Sequence, residues 1–254
     1  MASEASATAR SLVAGSHRIA VLTGAGISTD SGIPDFRGPD GIWTRDSEAE
    51  KYSSIQYYMG DSELRARAWQ FRLSNPALTA RPNIGHESLV DLERSGRLLR
   101  LVTQNIDGLH LAAGTSPEIL VEAHGNIRDA MCTSCNWRGS MSETLNRVRQ
   151  GEVDPACTEC GGILKSATVF FGESLDPSCV QSAHQAAATC DLLVCLGTTL
   201  AVYPIADMVP IALQEGTPVL IVNAGETQFD DSALVVQGSL SELLPMILSG
   251  LSES

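Results

Sequence analysis

Four cysteines stand in two close pairs, and the 21 residues between the pairs lie just past the usual window for a four-cysteine zinc site. Cys132 and Cys135 form one C-x-x-C pair, and Cys157 and Cys160 form a second pair further along the chain. Tetrahedral Zn²⁺ needs four thiolates at about 2.3 Å, and each C-x-x-C turn presents two on one side. A redox dithiol would need only one pair, and two disulfides do not suit a reducing cytosol. We therefore predict one structural zinc ion held by these four thiolates.

A glycine-rich segment directly follows the first apolar run, Ile19–Thr23. Gly24 and Gly26 would let the backbone approach a pyrophosphate near a helix N-terminus. The spacing departs from G-x-G-x-x-G, because the next glycine is Gly32, and Gly-Ala-Gly alone is often only a tight turn. The stretch 35–37, Asp-Phe-Arg, adds an aromatic lid and a cation. This combination favours a nucleotide-binding loop.

Polar side chains also follow three later apolar runs. The segment 104–107, Gln-Asn-Ile-Asp, suits recognition of a carboxamide and ribose hydroxyls, although Asn105 or Asp107 could simply cap a helix. Gly-Thr-Thr at 197–199 can cradle a phosphate, and Asn223 can bind ribose hydroxyls. Individually, each of these last two could be ordinary turn chemistry.

His124 is the candidate general base. It lies between an apolar run and the first cysteine pair, and a glycine follows it. An imidazole can accept a proton near neutral pH, but a lone histidine is more often a structural residue.

The elements that must position these groups form an α/β fold. Runs that are apolar throughout predict strands covered on both faces, and hence a parallel sheet. Ligands of such sheets bind outside the carboxyl ends of the strands, so the polar segments should converge on one crevice. The predicted strands are Ile19–Thr23, Leu98–Thr103, Ile119–Val121, Thr168–Phe171, Leu192–Leu196 and Val219–Val222.

Composition and charge narrow the class of protein. The chain has 254 residues, 43% of them apolar and 19% charged, which fits a globular protein. A net charge of −13 argues against direct nucleic-acid binding. We find no apolar run of the ~18 residues that suggest a membrane span, and no secretory signal. We expect a cytoplasmic protein without a membrane partner, whose residues 1–11 form a disordered tail.

Eight segments occur in this order between about residues 20 and 223: GAGISTDSGIPDFRG, TQNIDGLH, HGN, the two C-x-x-C pairs, VFFGE, GTTLAVYP and IVN. Together they resemble the sirtuin family of NAD-dependent protein-lysine deacylases, in its bacterial type. The resemblance implies a Rossmann-like parallel sheet domain from residues 12–37, 83–127 and 168–254. A smaller lobe would combine a helical insertion, 38–82, with a zinc-binding module, 128–167.

The resemblance also implies the site residues. His124 and Asn105 would be catalytic, and Cys132, Cys135, Cys157 and Cys160 would bind zinc. The peptide substrate would lie along Val169, Phe170, Phe171, Gly172, Glu173 and Val202. Contacts to NAD would come from Gly24, Ala25, Gly26, Asp35, Phe36, Arg37, Gln104, Asn105, Ile106, Asp107, Gly197, Thr198, Thr199, Asn223 and Leu240.

The implied reaction consumes NAD. The acyl oxygen of an acetyl-lysine protein substrate attacks the ribose as nicotinamide leaves, and His124 acts as general base on a ribose hydroxyl. The segment 69–75 lacks the Tyr-x-x-Arg pair of succinyl-preferring sirtuins, which favours acetyl groups, although Arg72 or Arg81 could supply a cation. Deacylation of other acyl-lysines, mono-ADP-ribosyl transfer and non-catalytic NAD or zinc binding are the alternatives. Intact His124, Asn105 and Asp107 argue against the non-catalytic alternative.

Overall fold

The computed structural model describes residues 2–36, 38, 41–45 and 49–249, the side chains of residues 2, 3 and 43 excepted. The strands of this part of the chain are β1 (Ile19–Thr23), β2 (Leu98–Thr103), β3 (Leu120–Glu122), β4 (Gly125–Cys132), β5 (Arg138–Ser140), β6 (Leu164–Thr168), β7 (Leu192–Leu196), β8 (Val219–Asn223) and β9 (Leu234–Gln237). The helices are α1 (Ala2–Ala14), α2 (Ile42–Arg45), α3 (Ile55–Gly60), α4 (Ser62–Leu73), α5 (Ile84–Arg94), α6 (Leu109–Ala113), α7 (Met141–Arg149), α8 (Pro177–Thr189), α9 (Met208–Gln214) and α10 (Leu240–Ile247).

A six-stranded parallel sheet forms the larger part of the fold. Its order is β3-β2-β1-β7-β8-β9, and all neighbours run parallel. Every residue of β1 and β7 is buried, as predicted from their uninterrupted apolar runs. The strand order reverses between β1 and β7. In open parallel sheets, such a switch point is where ligands bind.

Helices cover both faces of this sheet. One face packs against α1, α5 and α10, and the other against α8 and α9. The parallel sheet and its two helical layers confirm the α/β prediction.

One predicted strand of the parallel sheet is wrong. The run Thr168–Phe171 does not enter that sheet, since β6 ends at Thr168 and pairs antiparallel with β4. Phe170 instead packs with Tyr58 in a separate cluster, where their rings meet edge-on at 5.2 Å. The prediction failed because an apolar run in the sequence looks the same whether the residues are buried in the parallel sheet or in a second core. The sixth parallel strand is β9, which pairs with β8 at the edge of the sheet.

The smaller lobe combines two stretches of chain. A three-stranded antiparallel sheet, β5-β4-β6, packs with α7, and α4 packs on this module through Trp69. Trp69 is fully buried in one cluster with Cys132 and Cys157. Strands β4 and β6 continue past the predicted boundaries at residues 128 and 167, so the division into residue ranges stays a prediction.

The prediction of a disordered tail at residues 1–11 is wrong. Residues from Ala2 to Ala14 form α1, which contacts β9 and α10. Ala9 and Val13 are fully buried in the sheet core, and Ala5 and Leu12 pack beside them. These positions recur at helical spacing, so they share one face. Alanine is small, so it can pack closely in the core. In the sequence it gives a weaker hydrophobic pattern than larger apolar side chains do.

Candidate active site

The loops after β1 and β7 touch through their backbones at the switch point. Gly24 N donates to Leu196 O at 3.0 Å, and Gly26 N donates to Gly197 O at 2.9 Å. A Cβ on Gly24 would lie 2.7 Å from the Gly197 oxygen, and one on Gly26 would lie 2.7 Å from the Gly197 Cα. The glycines are therefore required by the contact between the two loops. Their approach to a pyrophosphate, and the role of Ala25 between them, stay predictions.

The loop after β2 is fastened to the loop after β1 by a buried polar network. Asn105 Nδ2 donates to Gly24 O at 3.0 Å and to Ser28 Oγ at 3.2 Å. Ser28 Oγ donates to Asp107 Oδ2 at 2.7 Å. The other Asp107 oxygen accepts from Leu109 N, so Asp107 does cap α6 as well as facing the loop. Burial raises the pKa of Asp107, and these two hydrogen bonds oppose the rise.

The network continues behind Asn105 to two buried histidines. Asn105 N donates to Thr103 Oγ1, and Thr23 Oγ1 donates to the same oxygen at 2.8 Å. Since the Thr23 hydroxyl proton is used there, His110 Nε2 must be the donor in its 3.0 Å contact with Thr23. The His110 ring lies 4.9 Å from that of His86, centroid to centroid. Burial lowers the pKa of His86 to about 4 and that of His110 to about 3.

Gln104 joins the second loop to the third. Its Oε1 accepts from Thr198 Oγ1 at 2.8 Å, which connects the carboxyl ends of β2 and β7. The Gln104 Nε2 atom is buried and has no hydrogen-bond partner within the described residues. Such a donor is costly to leave unpaired, so a ligand with an acceptor oxygen fits this crevice. The donor set suits NAD, whose carboxamide, ribose and phosphate groups carry such oxygens.

His124 enters the crevice at the end of β3. Its Nδ1 lies 2.9 Å from the carbonyl oxygen of Gln104, so Nδ1 carries the proton and Nε2 has the free lone pair. Burial lowers the pKa of His124, and the hydrogen bond to Gln104 partly offsets this. The side chain is therefore neutral at pH 7 and is able to accept a proton at Nε2.

The other predicted NAD contacts lie around this crevice. Ile106 is half-buried beside Asp107, Phe36 is half-buried, and Thr199 is exposed next to buried Thr198. Asp35 Oδ1 accepts from Gly38 N, so this carboxylate holds its own turn. Asn223 Nδ2 donates to Gly225 O. Leu240 packs its side chain into the core, which leaves only its backbone for a ligand. Arg37 lies outside the described residues.

The four predicted zinc ligands come together in the smaller lobe. Their sulfur atoms all lie within 4.8 Å of one another, with Cys132 and Cys160 at 3.5 Å and Cys135 and Cys157 at 3.8 Å. Four sulfurs at 2.3 Å from a central ion would be about 3.8 Å apart in a regular tetrahedron. The site therefore fits Zn²⁺ with all four positions filled by thiolates.

The predicted peptide strip runs from β6 toward α8. Val169 N donates to the carbonyl oxygen of His124 at 2.8 Å. Phe170 is 2% exposed and packs in the core, so its contact to the peptide stays a prediction. Phe171 is 42% exposed and pairs through its backbone with residues 53–55. Glu173 directs its carboxylate inward to Lys165, at 2.8 Å. Val202 is half-buried on the facing segment.

Two residues of this region carry no sequence signal of their own. Ser28 lies inside the glycine-rich segment, but its partners Asn105 and Asp107 are nearly 80 residues away. Lys165 is 3% exposed, whereas lysine is almost always a surface residue. A lysine in an otherwise uncharged stretch, with a glutamate eight residues after it, is the only hint that the sequence offers.

Comparison with known proteins decides the family. The model of the Sir2 family matches residues 24–204, which include the crevice, His124 and all four clustered cysteines. The chain belongs to the Sir2 family, the sirtuins.

Its relatives among these sirtuins match over nearly their whole length. NAD-dependent protein deacetylase 2 of Streptomyces coelicolor is 47% identical, and the match covers 92% of this chain and 97% of that protein. NAD-dependent protein deacetylase 1 of Pyrobaculum aerophilum is 38% identical, with 95% and 92% covered.

Solved sirtuin structures have the same fold. A Sir2 structure with a deacetylated p53 peptide and 3′-O-acetyl ADP-ribose matches with a TM-score of 0.87 at 33% identity, covering 96% of this chain and 98% of that one. A Sir2 structure with a p53 peptide and NAD⁺ matches with a TM-score of 0.83 at 32% identity, covering 94% and 95%. Among the described residues of this sirtuin, no helix has both the length and the apolar character needed to cross a membrane.

Proposed function

We propose that this sirtuin is an NAD-dependent protein-lysine deacetylase that transfers the acetyl group from lysine to ADP-ribose and releases nicotinamide. The observation that carries the proposal is the crevice at the switch point. It brings a neutral histidine, a half-buried carboxylate and an unpaired amide donor to the carboxyl ends of the central strands. When bound, NAD would supply the ribose carbon from which nicotinamide leaves and the ribose hydroxyl to which the acetyl group passes.

His124 is the general base of this proposal. Because Nδ1 is held by the Gln104 carbonyl, Nε2 is the atom that can take a proton from a ribose hydroxyl. The hydrogen bond fixes the tautomer and the ring orientation. The lowered pKa keeps the imidazole unprotonated at neutral pH, which is the state that a base needs.

Asn105 and Asp107 hold the nicotinamide side of the crevice. Asn105 has both amide hydrogens engaged by Gly24 and Ser28, so its amide is oriented before any ligand binds. Ser28 and Leu109 orient the Asp107 carboxylate in the same way. Groups that are already oriented can stabilise developing charge without the cost of rearranging. This supports a role for the loop in promoting departure of nicotinamide.

The zinc site supports the fold and takes no part in the reaction. Four thiolates fill a tetrahedral ion, which leaves no position for water or substrate. Cys132 and Cys157 share one buried cluster with Trp69 of α4, so the metal also stabilises the contact between the two parts of the smaller lobe.

The surroundings of Arg72 support acetyl over succinyl as the acyl group. The Arg72 guanidinium carbon lies 5.2 Å from the ring centroid of Tyr58 and 5.0 Å from that of Trp69. The cavity beside it, lined also by Asn75 and Ser166, measures about 20 Å³. That volume holds about one water molecule and is too small for a carboxylate with its methylene stem. Arg81, the other candidate cation, is exposed.

A cytoplasmic location is part of the same proposal. All seven cysteines are free thiols within the described residues, including the four that we assign to zinc. Thiolate metal sites of this kind need a compartment that keeps cysteine reduced.

The test is to measure nicotinamide release from NAD with an acetyl-lysine peptide and, separately, with an unmodified protein as acceptor. We expect release coupled to deacetylation of the peptide. Release that depends only on the unmodified acceptor would favour mono-ADP-ribosyl transfer, and no release would favour a non-catalytic protein.

His124→Ala tests the assigned base. We expect deacetylation to fall at least ~10²-fold, the usual scale for a general base, while the fold and NAD binding are kept. His17→Ala is the matched control, because His17 is exposed and precedes the amino end of β1, whereas the crevice lies at the carboxyl end of that strand. Near-full activity of His124→Ala in a steady-state assay would contradict the assignment.

A further inference from the structure

Lys165 is a buried cation that the proposed reaction does not use. It lies in β6 with only 3% of its side chain exposed, and its Nζ is 2.8 Å from Glu173 Oε2 and 2.7 Å from the carbonyl oxygen of Thr168. Nζ also lies 4.3 Å from the ring centroid of Phe170. A buried charge is costly unless it is paired and hydrogen-bonded, and these contacts supply both.

The ion pair closes a turn. The oxygen of Glu173 that accepts from Lys165 also accepts from the backbone N of Phe170, at 2.8 Å. Glu173 N in turn donates to Phe170 O at 2.9 Å, and Gly172 between them has a φ of 91°. This is a type II β-turn with glycine at the position that requires a positive φ. The lysine therefore holds the turn from inside the lobe.

The same turn connects three parts of the proposed peptide site. Just before it, Val169 N donates to the carbonyl oxygen of His124, at 2.8 Å. Within it, Phe171 N donates to Ser53 O at 2.7 Å, and Phe171 O accepts from Ile55 N at 3.0 Å. A change in the turn therefore moves the peptide strip relative to the helical insertion, whereas the His124 ring stays held by the carbonyl oxygen of Gln104.

We propose that Lys165 is a positioning residue for the acetyl-lysine peptide, and that it acts through Glu173 and the turn of residues 170–173. This inference rests on the proposed deacetylase function. The pair touches none of the residues assigned to NAD. It should therefore set the KM for the peptide and leave the KM for NAD and kcat nearly unchanged.

Lys165→Met is the principal variant, since methionine approximates the length of the stem and carries no charge. We expect the peptide KM to rise about tenfold or more, the equivalent of about 1.4 kcal/mol, with kcat and the NAD KM within about twofold of wild type. Glu173→Gln should raise the peptide KM in the same direction but less, because the amide oxygen can still accept from Phe170 N. Its carboxylate is 27% exposed, so this variant should fold even if Lys165→Met does not.

The double variant Lys165→Met/Glu173→Gln should have a peptide KM close to that of Lys165→Met alone, because the two residues act as one pair. Arg138→Met is the control, since it breaks an exposed ion pair with Asp129 in the same lobe. An unchanged peptide KM in both single variants, or a matching loss of kcat and NAD affinity, would overturn the positioning role. Absence of deacetylation by the wild-type protein would instead overturn the proposed function and this inference with it.

Discussion

Lowering the pH from 7 to 5 should destabilise the protein through His86 and His110. In the unfolded chain, both titrate near the ordinary pKa of 6.5, whereas burial lowers their folded values to about 4 and about 3. Below pH 6.5, the unfolded state gains two protons that the folded state does not accept. The contribution of these two neutral histidines to stability is therefore fully present above pH 6.5, and it is lost progressively as the pH falls toward their folded pKa values.

The size of the effect follows from these shifts. One pKa unit corresponds to about 1.36 kcal/mol of stability. Between pH 6.5 and 5, each histidine becomes protonated in the unfolded chain but stays almost fully neutral in the folded protein. Each histidine therefore removes about 2 kcal/mol from the free energy of unfolding, or about 4 kcal/mol together. For a protein of this size, 1 kcal/mol shifts Tm by about 2–4 °C, so the expected fall is about 8–16 °C.

Thermal unfolding of wild type and of His86→Gln/His110→Gln at several pH values between 7 and 5 tests this reasoning. Glutamine keeps an amide that can hydrogen-bond but does not titrate, and the carboxylates of the chain contribute equally to both proteins. The double variant should lose much less stability than wild type over this interval, whereas His17→Gln, at an exposed histidine, should match wild type. A double variant that loses stability as steeply as wild type would refute the assignment.

Three further predictions concern the metal, the loop contact and the acyl group. Elemental analysis of protein purified without chelator should find one Zn²⁺ per chain, and Cys157→Ser should lower both zinc content and Tm, since metal binding there contributes folding free energy; absence of zinc would contradict the site. Gly24→Ala should cost about 1–3 kcal/mol of stability and weaken NAD binding, because its Cβ would overlap Gly197 and Thr198, whereas Gly60→Ala meets open space and should be tolerated in the same unfolding assay. Peptide assays side by side should give a higher kcat/KM for acetyl-lysine than for succinyl-lysine, because the carboxylate would be buried without a partner; equal or faster desuccinylation would point to Arg72 or Arg81 as that partner.

The sequence predicts the parts of this fold that depend on local pattern. Short apolar runs identified β1, β2 and β7, with β2 interrupted only by Arg100, and polar residues at their ends identified the crevice. Thr168–Phe171 was misassigned because an apolar run does not reveal which core buries it, and Phe170 belongs to the cluster of Tyr58. The helix α1 was missed because alanine and serine give a weak apolar face, although Ala9 is fully buried.

The site shows the same limit. The clustered cysteines could be identified because their type and spacing are unusual for structural positions, whereas the assignment of His124 as the base rests on the resemblance of the ordered segments to the sirtuins. The role of Ser28 depends on hydrogen bonds to a loop nearly 80 residues away, and the inward direction of Glu173 depends on the burial of Lys165. Neither feature can be predicted from residues that are adjacent in the sequence, so both became visible only in the folded structure.

The position of α1 also has a consequence for biosynthesis. Its apolar face is covered by β9 and α10, which lie more than 200 residues further along the chain. A ribosome that adds about 5–20 residues per second needs on the order of 10–40 s to reach them. Throughout that interval, α1 lacks the two elements that cover its apolar face, so the growing polypeptide leaves Ala9 and Val13 incompletely buried. Nascent chains that stop before β9 should therefore be targets for chaperones and proteases, however well their glycine-rich loop and cysteine pairs have formed.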